Sequence, residues 1–381
     1  MNWSFKIAQV NGIPIKVHVT FFLILILGAV EWGNITGTAE GAVFGVVLML
    51  LLFVCVTLHE LGHSLMALRF GIPVREIILL PLGGVALINK NPDKPIHELL
   101  IVLAGPVVNV VIAIILWIVL GGTGALMLLD GQGLVESMRQ PSLNTLLMWL
   151  LAANLSLFVF NMIPAFPLDG GRVLRALLAM RLGYRRATQI ASSIGQMLAI
   201  ALGVFGLVNG NIILVLIAVF VFFGAAQETA VAESKAVLTT LQVGDAYNKH
   251  ALTLLVGDRV SKAVDYLLTS YQPDFAVMQG SNLLGVVMRN DILQSLATST
   301  SDNFVTDMMQ RDVLRVDKTS TLQEVLAAMK QKGARVAAVY DRETFMGLVS
   351  ADDISEAYAV LSFQQRQQKT REDERAQTER T

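Results

Sequence analysis

An unbroken apolar run from Gly41 to Leu58 leads directly into His59-Glu60-Leu61-Gly62-His63, and no other feature restricts the fold so strongly. About eighteen uncharged residues suffice for a helix to enter the bilayer core. Two imidazoles and a carboxylate are thereby carried to membrane depth, where ionisable side chains are expensive and mark function. Residues four apart share one helix face, so His59 and His63 can both present a ring nitrogen to one zinc ion. Glu60, beside that ion, is placed to take a proton from a water that the metal acidifies. The alternative is two buried histidines satisfied by neighbouring helices. Hydrocarbon offers them no water, and an unpaired polar group there costs several kcal/mol.

Composition agrees with a membrane-embedded body carrying a more polar attachment: 381 residues are 54% hydrophobic and 15% charged, with a mean hydropathy of +0.59. A net charge of -1 provides no basic surface for nucleic acid, so no such partner is expected. The lone Cys55 cannot form an intrachain disulfide and is read as core packing. Lys6 and Lys16 precede the first apolar segment and no small-residue cleavage site follows it, so it reads as a retained span rather than a removed signal peptide.

Six apolar segments stand out, at roughly 17–32, 41–69, 99–121, 143–163, 190–208 and 211–226. Lys and Arg cluster on one set of flanks, at Lys6, Lys16, Arg69, Arg75, Lys90, Lys94 and the stretch from Arg172 to Arg186, while the opposite loops hold only Arg139. The positive-inside bias then places both termini and everything after residue 227 in the cytoplasm. His63 precedes Arg69 by six residues, about 9 Å of helix. The metal therefore lies inside the bilayer near its cytoplasmic face, reached by water through a cavity. Between the second and third segments, Val74 to Asn89 is rich in β-formers and broken by Pro81, Gly83 and Gly84. A β-hairpin dipping into the protein is expected, with a cytoplasmic loop as the alternative.

Two histidines do not complete a catalytic zinc site, which usually has three protein ligands and an open position. In Asn161-Met-Ile-Pro164-Ala-Phe-Pro167-Leu-Asp169-Gly170-Gly171-Arg172 a carboxylate follows a helix broken by two prolines. Such a break is tolerated at membrane depth only where it is buried in protein or lines water. Asp169 is either the third ligand or an N-cap for the next helix.

These residues resemble the site-2 proteases, intramembrane zinc metalloproteases. His59-Glu60-Leu61-Gly62-His63 looks like their HExxH, Asn161 with Pro164 and Leu168-Asp169-Gly170 resembles their second motif, and Gly105-Pro106-Val-Val-Asn109 is similar to a further common element. The resemblance covers about residues 5 to 227. It implies one Zn2+ per chain held by His59, His63 and Asp169, with Glu60 as general base. Asn161 would hold substrate or the developing oxyanion, where a preorganised amide is effective. Asn109 either touches substrate or serves as interhelical glue. A helical substrate hides its carbonyls and must unwind, and the hairpin, with Gly83 and Gly84 at its turn, is placed to receive the extended segment as an added strand.

Past residue 240 the chain repeats itself. Val260–Ile292 overlays Leu322–Ile354 without a gap at an offset of 62, each copy reading helix, strand, strand, helix. Two copies suggest one globe with pseudo-two-fold symmetry. The pattern resembles a cystathionine β-synthase (CBS) pair. Gly347-Leu-Val-Ser350-Ala-Asp352-Asp353 matches the family's adenylate-contacting positions, whereas the first copy keeps Asp291 but has Met288 where Ser or Thr is usual. The resemblance implies ATP or another adenylate at Asp291, Ser350 and Asp353; the alternative is a ligand-free dimerising module, its aspartates capping helices.

The expected fold is a polytopic α-helical membrane protein, about six transmembrane helices with a membrane-associated β-hairpin, plus a cytoplasmic α/β CBS-domain pair. Its expected divisions are a transmembrane metalloprotease domain at 1–227, a linker at 228–240, CBS domains at 241–300 and 301–362, and a polar, disordered tail at 363–381. The expected function is intramembrane zinc endopeptidase in the cell membrane, cutting a membrane-spanning protein near its cytoplasmic side. Adenine nucleotide would regulate it, and CBS domains would associate copies into a homo-oligomer. The alternative is a CBS-gated transporter or channel with a structural metal site. His18, His97 and His250 lack a second partner at ligand spacing and are read as structural or exposed.

Overall fold

The computed structural model describes residues 3–81, 83–88, 92, 94–122, 140–270, 272–298 and 301–363. Within them the chain forms two compact units, Met1–Ala232 and Glu233–Thr381. The sequence reading of a polar tail lies almost wholly outside the described residues.

The first unit begins with strands β1 (Ser4–Val10) and β2 (Ile13–His18), then helices α1 (Phe21–Thr36) and α2 (Ala39–Arg69). Strands β3 (Val74–Leu80) and β4 (Gly83–Ile88) follow, then α3 (Pro95–Gly122), α4 (Leu143–Asn161), α5 (Asp169–Leu182), α6 (Tyr184–Val208) and α7 (Ile212–Leu238). Among the described helices α2, α3, α4, α6 and α7 are long and apolar enough to cross a membrane, and α1 is a shorter apolar helix. The first apolar segment is thus divided: Val17 and His18 finish β2, and the 16 residues of α1 span only about 24 Å at 1.5 Å per residue.

Side chains exposed along these helices are apolar, including Val43, Val54, Ile114, Val159, Ile200 and Phe220, a pattern that suits lipid and not water. Thr38 starts α2 by accepting a hydrogen bond from the Gly41 amide at 3.2 Å, a side-chain N-cap. On one side α2 meets α1 where Gly45 faces Gly28: a Cβ at Gly45 would lie 2.0 Å from the Gly28 carbonyl oxygen. Small residues permit this approach of two backbones in lipid. Cys55 packs with Trp32, Leu48 and Leu150 and accepts a weak contact from Asn154 Nδ2 at 3.4 Å, in keeping with a packing role.

The expected hairpin is present as antiparallel β3 and β4, but it does not stand alone. The sheet order is β1-β2-β3-β4, with β2 and β3 parallel. A parallel pair needs a long crossover, and here α1 and α2 supply it. Ile13, Ile15, Val17, Ile77 and Leu79 form one core with Phe53 and Leu61 of α2, so the sheet is fastened to the helix that carries the two histidines. A Lys16–Glu76 ion pair adds a tie across the parallel strands.

In the second unit the repeat takes physical form. Strands β5 (Thr253–Leu255), β6 (Asp274–Gln279) and β7 (Asn282–Met288) make one three-stranded sheet, with helices α8 (Val260–Thr269) and α9 (Arg289–Thr298). Strands β8 (Leu314–Asp317), β9 (Val336–Asp341) and β10 (Thr344–Ser350) make the other, with α10 (Leu322–Lys332) and a helix from residue 351 to 363. The copies exchange their entry segments. Leu238, Leu241 and Val243 pack in the core of the second copy with Val325 and Val339, while Val305 and Met309 pack in the core of the first with Val260 and Val277.

Candidate metal centre

Residues His59 and His63 lie near the C-terminal end of α2, 6% and 9% exposed. Asp169 is the first residue of α5, whose N-cap position is Leu168 and carries no side-chain cap bond. The capping alternative is therefore not what Asp169 does. Its carboxylate turns away from the helix end, and Oδ2 lies 3.2 Å from Nε2 of each histidine. The two Nε2 atoms are themselves 3.0 Å apart. Around a tetrahedral ion with bonds of about 2.0–2.1 Å, ligand atoms stand about 3.3 Å from one another. Among the described residues these three side chains form a cluster able to hold one metal ion, and the donor set of two imidazoles and a carboxylate suits zinc.

Neighbouring groups aim the donors. His63 Nδ1 donates to the Ile101 carbonyl of α3 at 2.8 Å, which fixes the tautomer and leaves Nε2 free to bind a cation. The ring has room because residue 105 is glycine: a Cβ there would stand 2.3 Å from His63 Nε2. The Gly105-Pro106 step flagged in the sequence thus acts through its first residue. Gly170 and Gly171 do the same for the carboxylate. A Cβ at either would come within 2.2 or 2.6 Å of backbone atoms in the break from Met162 to Phe166, so two glycines allow the interrupted segment to fold against the start of α5. Phe166 and Ala165 are buried there, as the rule for broken helices at membrane depth requires.

Glu60 lies beneath the edge strand of the sheet, since a Cβ on Gly84 would be 2.5 Å from Glu60 Cγ. Gly83, at φ 138°, opens β4 and has free space around it. The hairpin is therefore placed directly over the carboxylate of the HExxH helix, with β4 as the outer strand of the order β1-β2-β3-β4. Asn109 is fully buried in α3, and neither its amide nitrogen nor its oxygen has a hydrogen-bond partner, so it is not interhelical glue among the described residues. Asn161 ends α4 and is half-buried; no side-chain hydrogen bond joins it to the histidines.

In the second unit, Ser350 N and Oγ both donate to Asp353 Oδ2 at 2.7 Å, and Asp353 N donates back to Ser350 Oγ at 3.0 Å. Asp291 accepts from the Met288 amide at 3.0 Å. Each aspartate therefore caps its helix and also borders a cavity. One, of about 350 Å³, is lined by Ser350, Asp353, Asp274, Glu356 and His250, with no Lys or Arg among its described lining residues. The other, of about 380 Å³, has Asp291 and Asp312 facing Lys332 and Arg335.

One buried group was not singled out from the sequence. Glu98, 4% exposed, and Arg175, 6% exposed, pair across α3 and α5 with Arg175 Nε 2.9 Å from Glu98 Oε1. The available signal was an arginine inside a stretch read as flanking charge, where only a buried partner distinguishes it from its neighbours.

Sequence comparison places these features in a known group. The profile of peptidase family M50 matches residues 47–131 and 123–202, and that of the CBS domain matches residues 305–360. A zinc metalloprotease of Methanocaldococcus jannaschii is 35% identical over 369 residues, 96% of this chain and 99% of the relative. Stage IV sporulation protein FB of Bacillus subtilis is 27% identical over 177 residues, 46% of this chain and 52% of that protein. The solved site-2 protease from Methanocaldococcus jannaschii is 41% identical, covers 60% of this chain and 95% of its own, and superposes with a TM-score of 0.43. With near full-length identity to a zinc metalloprotease and the HExxH helix where the M50 profile falls, this chain belongs to peptidase family M50, the site-2 type of intramembrane zinc metalloproteases, and carries CBS sequence at its C-terminal end.

Proposed function

We propose that this multi-pass membrane protease holds its zinc with His59, His63 and Asp169 and uses Glu60 as the proton carrier. The observation that carries this reading is the buried triangle of donor atoms, 3.0, 3.2 and 3.2 Å on its sides. Zinc bound there would acidify a water and polarise the scissile carbonyl. Glu60 would take a proton from the attacking water and later deliver it to the leaving amine. Asn161, at the end of α4, and the unpartnered amide of Asn109 are the groups assigned to the substrate backbone and the developing oxyanion. The substrate is a membrane-spanning protein, unwound locally and laid as an extra strand along β4 beside Gly83 and Gly84, so that backbone hydrogen bonds and not one side-chain pattern secure it.

The same reading puts both termini and the CBS pair in the cytoplasm, from the Lys and Arg bias of the flanks, so cleavage falls near the cytoplasmic side. Residues 1–227 serve as the protease body and 241–300 and 301–362 as the CBS pair, while 228–240, read from the sequence as a linker, continues α7 as far as Leu238. An adenylate occupies one of the two cavities of the pair, its ribose at Ser350 and Asp353 in the one or at Asp291 in the other, where the charge of Lys332 and Arg335 suits its phosphates. Bound adenylate changes the cleavage rate, which requires unequal affinity for two arrangements of the protease. The CBS pair also joins copies into a homo-oligomer.

Zinc content and cleavage in wild type, Glu60→Gln and Asp169→Ala test the core of this reading. Glu60→Gln is expected to keep zinc and lose cleavage by at least about a hundredfold, in the range of general-base loss. Asp169→Ala is expected to lose zinc. Stoichiometric zinc in Asp169→Ala would overturn the ligand assignment.

A further inference from the structure

Six residues beyond Asp169, α5 carries the buried guanidinium of Arg175. Its Nε and Nη2 donate to Glu98 Oε1 at 2.9 and 2.5 Å, and its Nη1 donates to Glu228 Oε2 at 2.8 Å. The guanidinium carbon stands 4.9 Å from the ring centroids of both Phe166 and Tyr184. One side chain thereby joins α3, α5 and α7 to the loop that precedes Asp169 and to the start of α6. The cleavage chemistry above makes no use of it.

Stability explains such a cluster poorly, because the cost of desolvating buried charges offsets much of their attraction and apolar replacements often do as well. What a planar, forked donor supplies is a fixed geometry. Six residues of helix turn through about 600°, a net of about 240°, so Arg175 leaves α5 on a different side from Asp169. It can set the rotation of the helix without entering the metal site. Its contact with Phe166, three residues before Asp169, holds the incoming loop as well. Rotation of α5 or a slide of that loop would carry Oδ2 away from two imidazole nitrogens that are each 3.2 Å distant. We propose that Arg175, gripped by Glu98 and Glu228, is the positioning residue that sets Asp169 against the histidines. The proposal rests on the reading of Asp169 as a zinc ligand.

The two arms differ. Glu98 has 6% of its side chain exposed and Glu228 26%, so Glu98 carries the greater share. The test is zinc affinity of the full-length protein in detergent, by competition with a chromogenic chelator, with helix content and cleavage measured in parallel. Arg175→Lys keeps the charge but loses the fork, and is expected to weaken zinc binding about 10- to 100-fold, as losses of groups that orient metal ligands do. Glu98→Gln should match it and Glu228→Gln should fall short of it, all with wild-type helix content. Saturating zinc should restore cleavage in each with KM unchanged, which a general loss of structure would not allow. Zinc affinity in Arg175→Lys and Glu98→Gln within twofold of wild type would overturn the proposal. Should Arg175→Lys fail to fold, Glu98→Gln decides by the same criterion. Asp169→Ala separates the two ideas: if it binds zinc as tightly as wild type, the ligand assignment fails and not the clamp alone.

Discussion

At the scale of single residues, the metal centre is shaped as much by absent side chains as by present ones. Gly105 yields its space to the His63 ring, and a methyl group 2.3 Å from Nε2 leaves no position for both. Gly105→Ala is therefore expected to displace His63 and lower zinc affinity by at least about tenfold, while Ala104→Gly, one residue away, leaves zinc content unchanged; zinc titration of both variants checks this. Asp274 in the second unit gives a pH prediction. Burial pushes its carboxyl up, against hydrogen bonding from the Arg289 backbone and the charge of Arg335, with Asp353 and Asp352 adding to the rise. The folded state thus prefers the neutral acid and holds its proton longer than the unfolded chain. This contribution is fully present at low pH and is lost as pH rises through the ordinary carboxylate range and then the raised folded value. Asp274→Asn is expected to increase amide-exchange protection of β6 and β7 at pH 7, with no gain at pH 3. Equal protection of mutant and wild type at pH 7 would refute it.

At the scale of elements, the sheet and the break around Asp169 do most to build the site. Because β4 is the outer strand and Gly84 rests on Glu60, a peptide added to that edge would lie beside the HExxH helix. Proline at successive positions from 84 to 88 should reduce cleavage about tenfold or more wherever it removes an outward N–H, since proline cannot donate to a ladder. Zinc content should stay at the wild-type level. Unchanged cleavage across the whole set would rule out strand addition. The hairpin itself was legible from its β-formers between Pro81 and the glycines, yet its two extra partners were not. Residues 4–10 and 13–18 pair with it only because α1 and α2 return the chain to the same place, a long-range closure no local pattern encodes.

At the scale of the whole molecule, the chain joins a membrane protease to a nucleotide-sized pair of cavities, and the functional question is whether they communicate. Adenylates at cellular concentration are expected to change the cleavage rate at least about fivefold, the low end of typical couplings. Asp353→Ala should abolish that response if the ligand sits beside Ser350, and Asp291→Ala if it sits beside Lys332 and Arg335, neither altering zinc content. Cleavage rates equal with and without ATP would sink the regulatory reading and leave the protease reading intact. The two cavities also differ in charge, and only the one containing Lys332 and Arg335 has cations for a phosphate chain. A Lys332→Ala, Arg335→Ala pair should therefore weaken ATP far more than adenosine in equilibrium dialysis.

The sequence alone determined which side chains could bind a metal and which stretches are long and apolar enough for a bilayer, except the first, where Val17 and His18 belong to β2 and α1 is short. An i,i+4 histidine pair after a long apolar run follows from helix geometry and the cost of charge in hydrocarbon, both local properties. It also revealed the repeat, down to an offset that the helices and strands of the second unit follow. Asp169 remained ambiguous because ligand and cap ask for the same residue type at a helix start, and only the path of the break from Met162 to Leu168 decides which way its carboxylate points. Likewise Arg175 and Glu98, 77 residues apart, read as separate charges until α3 and α5 pack together. The exchange of entry segments between the two CBS cores was decided at the same level, because burial of Val243 and Val305 depends on which surface is left open by the rest of the fold and not on their neighbours in the chain.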